Sequence, residues 1–126
     1  MNDADTTLGD LRDMVREFRD RREWAGFHTP KNLSMAIAIE AAELMEEFQW
    51  LSADEAWGLR DNARRLTAIG EELADVVIYA LSFANSLDLD VTTMVLDKLL
   101  KNAEKYPEGD YRGKSSWLDE EGGGEA

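Results

Sequence analysis

Apolar residues recur every three or four positions along most of this chain, which is the period of an amphipathic α-helix. The two prolines, Pro30 and Pro107, stand at the margins of the periodic segments. The pattern therefore predicts an all-α fold. The predicted helices cover about 7–23, about 30–51, a segment that starts at Ser52 with an irregularity near Gly58, about 66–87, and a last segment that ends near Tyr106.

Local signals mark where several of these helices begin. Thr29 can cap the second helix, because the proline that follows it fits the first turn, where a missing N–H costs little. Ser52 and Glu55 have the S-x-x-E spacing of a capping box. The last helix is expected to begin at a cap formed by Asp90 or Thr92.

The segment 66–87 is apolar around most of its circumference, which predicts a buried helix. Its polar residues are confined to one arc, which contains Glu71, Glu72, Asp75, Tyr79, Ser82 and Ser86. Buried helices rarely carry acids, so this arc is the first candidate for a functional surface.

The stretch IAIEAAELMEEFQW, residues 37–50, holds its acids in an unusual place. Glu40, Glu43 and Glu47 fall between two apolar edges of the helical wheel, whereas a solvated face would carry them away from apolar residues. One edge consists of Ile37, Ala41, Leu44, Phe48 and Leu51, and the other of Ile39 and Trp50.

Composition limits the classes of function. The chain has 126 residues, with 14 basic and 27 acidic side chains and a net charge of −13, which argues against a protein that binds the nucleic-acid backbone. A domain this small gains from a partner, so an oligomer is expected. No apolar run approaches the roughly 20 residues of a membrane span. The absence of cysteine and of a signal-peptide pattern predicts a cytoplasmic protein. The length of the chain and the loss of helical periodicity near its end predict one domain, 1–114, and a disordered acidic tail, 115–126.

Two helices each present a pair of acids three residues apart: Glu40 with Glu43, and Glu72 with Asp75. Each pair points into one patch of space, because side chains three residues apart on a helix are separated by only about 60° around its axis. Clustered carboxylates repel one another unless a cation joins them, and oxygen ligands suit Mg²⁺ or Mn²⁺. The alternative is that both pairs are ordinary solvated surface.

The residues also carry a resemblance. The stretch FHTPKNLSMAIAIEAAELMEEFQW, followed by GEELADVVIYALSFANSLDLDVTTMVLDKLLKNAEKYP, resembles the MazG-like all-α nucleotide pyrophosphohydrolases, particularly their dCTP pyrophosphatase branch. Their E-x-x-E and E-x-x-D signature is matched here by Glu40 with Glu43 and by Glu72 with Asp75. The similarity covers roughly residues 8–114.

The resemblance implies a helical bundle completed by oligomerisation, with a homotetramer built as a dimer of dimers. It implies that a nucleoside triphosphate is hydrolysed to the monophosphate and pyrophosphate, and that the four acids hold Mg²⁺, or Mn²⁺ in its place. One of these acids, or the neighbouring Glu71 or Glu47, would activate the water. The expected role is removal of surplus or modified deoxynucleotides, cytidine forms first.

The resemblance also suggests residues that bind substrate. Those expected to flank the base or line the entrance are Trp24, Trp50 and His28, and those expected to contact phosphates or close over them are Lys31, Lys98, Asn102, Tyr106, Arg112 and Lys114. Tyr79 lies about 20° from Glu72 on the helical wheel, so it shares the acidic arc and can support the sugar or a ligand carboxylate. One departure is Val15, which stands where the dCTP pyrophosphatase branch carries a histidine near the base. An acidic helical module that binds another protein is the alternative to an enzyme.

Overall fold

The computed structural model describes residues 1–113, and within that range every regular element is a helix. The α-helices are α1 (Leu8–Arg21), α2 (Pro30–Glu46), α3 (Ala53–Gly58), α4 (Ala63–Ser86), α5 (Val91–Lys105) and α6 (Glu108–Tyr111), and a 3₁₀ turn over Leu59–Asp61 follows α3. The predicted all-α class is confirmed. The proposed tail, 115–126, and Lys114 lie outside the described residues.

The predicted helix starts are confirmed by their caps. Thr29 accepts a hydrogen bond from the N–H of Asn32, and Ser52 forms a reciprocal capping box with Glu55. Asp90 caps α5 by accepting from the N–H of Thr93. These side chains satisfy N–H groups that have no partner within the helix, so the sequence sets the helix boundaries locally.

The predicted end of α2 near Leu51 is wrong, because the helix stops at Glu46. The N–H groups of Glu47 and Phe48 bond to carbonyls only three residues earlier, which tightens the last turn and ends the regular helix. Trp50 therefore lies in the turn after α2, so it does not form an apolar edge of this helix with Ile39 as the helical wheel predicts.

The chain divides into two compact units, residues 1–89 and the part that begins at Asp90. In the first unit α4 is the central helix, with both α1 and α2 packed against it. In the second unit α5 is followed by the short α6. The sequence predicted a single domain over this range, and the division falls at the turn between α4 and α5.

A buried amide fixes α1 on α4. Asn85, only 6% exposed, accepts hydrogen bonds from Arg12 Nε at 3.1 Å and from Arg16 Nη2 at 3.2 Å. Its Nδ2 donates to the main-chain carbonyl of Arg12 at 3.1 Å. Since all three bonds cross between the two helices, this network holds their relative position.

The buried core of the isolated chain is small. Among residues 1–113 the apolar side chains that are buried are those of Leu33, Leu81 and Ala84. The predicted burial of the apolar residues of α4 is incomplete in a single chain, because Leu73 and Val77 are 50% and 41% exposed. None of the helices described combines the length and apolarity that crossing a bilayer requires.

Candidate metal centre and adjoining cleft

Three carboxylates meet where α2 packs against α4. Glu40 and Glu43 extend from α2 and Glu72 from α4, and one carboxylate oxygen of each lies within 4.8 Å of the other two. The pairing of α2 with α4 explains the meeting, because it brings two acid-bearing helix faces into contact. The acids that lie between two apolar edges of α2 thus face a second acidic helix.

The local electrostatics oppose three negative charges in this position. The pKa of Glu40 is raised by burial and by the adjacent carboxyl of Glu43, with smaller effects from the charges of Asp75 and Glu72. The pKa of Glu72 is raised by burial, by Glu43, by Asp75 and by Glu47. Both shifts mean that the metal-free site holds protons more tightly than free carboxyl groups do.

Two carboxylate oxygens have no hydrogen-bond donor. Oε2 of Glu40 and Oε2 of Glu72 are shielded from solvent and unpartnered among the described residues. Such oxygens are costly in a folded protein unless a cation or water satisfies them. Several clustered carboxylate oxygens without nitrogen or sulfur donors form the ligand set that Mg²⁺ and Mn²⁺ prefer, so the residues fit a divalent cation.

Asp75 lies beside this cluster, one turn after Glu72 on α4. It is exposed, and its charge raises the pKa of both Glu40 and Glu72. It stands outside the group of three whose oxygens lie within 4.8 Å, and instead lines the neighbouring cleft. Asp75 is therefore the residue that joins the acid cluster to the cleft.

Glu47 has a partner of its own. Arg65 of α4 places Nη2 3.5 Å from Oε2 of Glu47 and donates to its main-chain carbonyl at 3.1 Å. This guanidinium therefore contacts the Glu47 carboxylate and satisfies a carbonyl at the end of α2. Glu71, the other proposed base, is exposed.

A cleft of about 420 Å³ lies between α1, α4 and the segment that connects α1 to α2. Four of the proposed site residues line it: Trp24, His28, Asp75 and Tyr79. Val15 is in the same wall, together with Leu11, Met14, Phe18, Arg19, Ile78 and Ser82. The volume is in the range of about 300–1,000 Å³ that small-molecule sites occupy, and the lining is mostly apolar.

Aromatic rings order one side of the cleft. The ring of Trp24 lies 5.9 Å from that of Phe18, edge to face, and 5.9 Å from the imidazole of His28. Backbone bonds hold the loop, since Trp24 N–H donates to the carbonyl of Arg19 and His28 N–H donates to that of Trp24. Burial, and then the charge of Arg19, lower the pKa of His28, whose shielded Nδ1 has no hydrogen-bond partner.

Two other proposed residues of the first unit do not line this cleft. Trp50 is 87% exposed in the turn after α2, and Lys31 is exposed in the first turn of that helix. The second unit contains Lys98, Asn102, Tyr106 and Arg112. There, Tyr106 stacks edge to face on Tyr111 at 5.0 Å, and Arg112 forms an exposed ion pair with Glu108 at 3.8 Å.

Comparison with known proteins decides the family. The model of the MazG-like family matches residues 35–120, which include all four acids of the two pairs. The chain belongs to the MazG-like family. The resemblance seen in the sequence is thereby confirmed.

Named relatives of this MazG-like chain are pyrophosphatases. It is 38% identical to dCTP pyrophosphatase 1 of Bos taurus over 108 residues, 82% of this chain and 62% of the relative. It is 39% identical to dCTP pyrophosphatase 1 of Homo sapiens over 101 residues, 80% of this chain and 59% of the relative. The chain thus spans about three-fifths of the length of these relatives.

A solved structure of a pyrophosphatase from Archaeoglobus fulgidus is also similar. Its sequence is 42% identical, the TM-score is 0.75, and the match covers 85% of this chain and 98% of that one. The helical fold of this MazG-like chain is therefore shared with a protein of nearly the same extent.

Sequence reasoning missed Arg19 as a residue of the cleft. A signal was present, because Arg19 follows Val15 by four residues and Leu11 by eight, so it continues the apolar stripe of α1. Ser82 lies on the polar arc of α4, and the sequence pattern alone does not indicate a role for it. It is 5% exposed and lines the cleft two turns beyond Asp75.

Proposed function

We propose that this chain is a divalent-cation-dependent nucleoside triphosphate pyrophosphohydrolase, which cleaves dCTP or a modified dCTP to the monophosphate and pyrophosphate in nucleotide-pool sanitation. The observation that carries the proposal is the acid cluster at Glu40, Glu43 and Glu72, which adjoins an aromatic-lined cleft through Asp75. The pyrophosphatase names of the relatives support the same reaction class.

In this proposal Glu40, Glu43, Glu72 and Asp75 hold Mg²⁺, for which Mn²⁺ can substitute. The unpartnered oxygens of Glu40 and Glu72 supply two donors, and Glu43 supplies a third within 4.8 Å. When bound, the cation would neutralise the triphosphate and favour deprotonation of the attacking water. An anionic substrate could otherwise not approach a chain with a net charge of −13.

The hydrolysis requires one water and one base. Water attacks the α- or the β-phosphorus, the bond from that phosphorus to the bridging oxygen breaks, and the bridging oxygen leaves with the other fragment, giving the nucleoside monophosphate and pyrophosphate. A carboxylate accepts the proton of the water. One of the four acids, or the neighbouring Glu71 or Glu47, is proposed as this base, and Glu47 already contacts Arg65 Nη2 at 3.5 Å.

The cleft would hold the nucleoside. Trp24 offers a flat apolar surface against which a base can stack, and Tyr79 stands one turn beyond Asp75, where it can contact the sugar. His28 closes the same wall. Trp50 is also proposed to flank the base, and contacts with the phosphates are assigned to Lys31, Lys98, Asn102, Tyr106, Arg112 and Lys114.

We propose that the functional form is a homotetramer built as a dimer of dimers, located in the cytoplasm. The support is the amount of apolar surface that a single chain leaves exposed on α2, α4 and α5. Examples are Met35, Ile39, Met45, Leu73, Val77, Leu96, Leu99 and Leu100, each at least 41% exposed. Light scattering of the purified chain tests this proposal, and a monomer would contradict it.

The enzymatic proposal is tested by release of pyrophosphate from a panel of canonical and modified dNTPs, with Mg²⁺, with Mn²⁺ and with a chelator. We expect turnover only with a divalent cation, and we expect Glu40→Gln and Asp75→Asn to abolish it. Glu46→Gln is the matched control, because Glu46 is an exposed acid of the same helix outside the cluster.

The competing class is an acidic helical module that binds a protein and catalyses nothing. Absence of metal-dependent turnover by the wild type on the whole panel would favour that module. Equal activity of Glu40→Gln and the Glu46→Gln control would show instead that hydrolysis occurs without the acid cluster. Helix content measured by circular dichroism must be the same in all variants.

A further inference from the structure

One side chain of the cleft has a charge that the proposed reaction does not use. Arg19 lines the cleft among mostly apolar residues, and its side chain is only 18% exposed. Burial, and then the charge of Arg19, lower the pKa of His28, whereas a guanidinium keeps its charge at any physiological pH. Among the described residues of the cleft wall, Arg19 is therefore the permanent cation.

The contacts of Arg19 leave part of its guanidinium available. Oδ1 of Asp20 accepts from Nε at 2.8 Å and lies 2.8 Å from Nη2, so both contacts use the same edge of the group. Among residues 1–113 no acceptor is bonded to Nη1 or to the second N–H of Nη2, so these N–H groups remain as donors. Asp20 thus holds the guanidinium in place while a planar pair of donors stays unused.

The position of Arg19 is beside the aromatic wall. It follows Phe18 directly, its carbonyl accepts the N–H of Trp24, and its charge acts on His28. A base stacked against Trp24 would present its edge, and not its face, to groups around that ring. This placement makes a contact with the base edge the natural role of the free donors.

We propose that Arg19 determines which nucleobase the cleft accepts, by donating two hydrogen bonds to a base edge that carries two adjacent acceptors. Cytosine has such an edge in O2 and N3, and guanine has one in O6 and N7. No edge of adenine or thymine carries two adjacent acceptors, so these bases leave one guanidinium N–H unpaired in a partly buried site. This inference rests on the proposed pyrophosphohydrolase function.

The test compares nucleotides that differ only in the base. kcat/KM is measured for dCTP, dGTP, dATP and dTTP with the wild type, Arg19→Gln, Arg19→Lys and the control Arg21→Gln. Arg21 is on the same helix, 75% exposed and paired with Glu17, outside the cleft. Arg19→Lys retains the charge beside Asp20 but lacks the planar pair of donors.

We expect the wild type to prefer dCTP or dGTP, and we expect both Arg19 variants to lose roughly 10- to 100-fold in kcat/KM on the preferred nucleotide, which is the discrimination a bidentate arginine contact provides. The loss should fall mainly on KM, because a base contact is made equally in the ground and transition states. dATP and dTTP should be affected far less, and Arg21→Gln should match the wild type.

An equal loss on all four nucleotides would assign Arg19 to the shared phosphates or sugar and would overturn this inference while leaving the proposed function intact. An unchanged preference in both Arg19 variants would overturn it as well. If the wild type hydrolyses none of the four, the inference fails, and if it hydrolyses no modified dNTP either, the proposed function fails with it. Melting curves of each variant confirm that the comparison is made on folded protein.

Discussion

Substitution of Asn85 tests whether a single buried amide holds the two walls of the cleft together. Asn85→Ala removes two hydrogen bonds from guanidinium groups and one donation to the Arg12 carbonyl. The cleft depends on the same packing, since α1 provides Val15 and Arg19 while α4 provides Asp75 and Tyr79. We therefore expect a loss of both stability and substrate affinity.

The size of the expected stability loss follows from the three hydrogen bonds of Asn85 and from the solvent exposure of Arg12 and Arg16. A hydrogen bond to a charged group contributes about 1.5–3 kcal/mol when it is buried, and one between neutral groups about 1 kcal/mol. The Arg16 side chain is 41% exposed and can regain water, so its bond counts for less. We expect Asn85→Ala to lower the free energy of unfolding by about 2–4 kcal/mol, which is roughly 6–20 °C in Tm for a domain of this size.

Thermal and urea unfolding of the metal-free protein measure this loss. Ser86→Ala is the matched control, because its hydroxyl donates only to the carbonyl of Phe83 within α4, and its removal should change stability by less than about 0.5 kcal/mol. Asn85→Asp keeps the acceptor for both guanidinium groups and should lose less than the alanine variant. A loss below about 1 kcal/mol for Asn85→Ala would refute the account of this network.

Two further predictions concern the acid cluster and the loop after α1. The raised pKa values of Glu40 and Glu72 mean that the native state holds more protons than the unfolded state, so the metal-free protein should lose stability as pH rises above the usual value of 4.5. Melting curves between about pH 5 and pH 8 should show this decline in stability, and the Glu40→Gln variant should show a smaller decline. Added Mg²⁺ should restore the lost stability, and no effect of Mg²⁺ near pH 8 would contradict a cation site. Glu23 has φ of 54°, so Glu23→Gly should stabilise the chain by about 0.5–1 kcal/mol while Glu23→Ala, which keeps the β-carbon, should not. Urea unfolding of the two Glu23 variants checks the difference, and equal stabilities would contradict it.

Local chemistry made much of the helical framework predictable. A cap such as Thr29 or Asp90 acts on N–H groups two or three residues away, so the sequence alone locates the start of a helix. The sequence does not mark the end of α2 with a glycine or a proline. The main-chain carbonyl of Glu47, directly after α2, accepts a hydrogen bond from Arg65, a residue of another helix. A contact of that kind has no signature in the local sequence.

The placement of the acids was predictable in part. Helical spacing puts Glu40 and Glu43 on one face, and Glu72 and Asp75 on another, but it leaves open how the two faces are rotated against each other. The structure brings Glu40, Glu43 and Glu72 within 4.8 Å and places Asp75 at the cleft. The rotation of α2 against α4 depends on packing between residues far apart in the chain.

By itself the sequence determined the helices, most of their boundaries, the two acid pairs and the family, because these depend on periodicity, on caps and on short motifs. Only the tertiary structure decided that Glu47 pairs with Arg65, that Asn85 fastens α1 to α4, and that Arg19 lines the cleft beside Trp24. The physical reason is that a helical period fixes the direction of a side chain relative to its own helix axis. What that side chain meets is fixed by which helices pack together, at what distance and in what rotation.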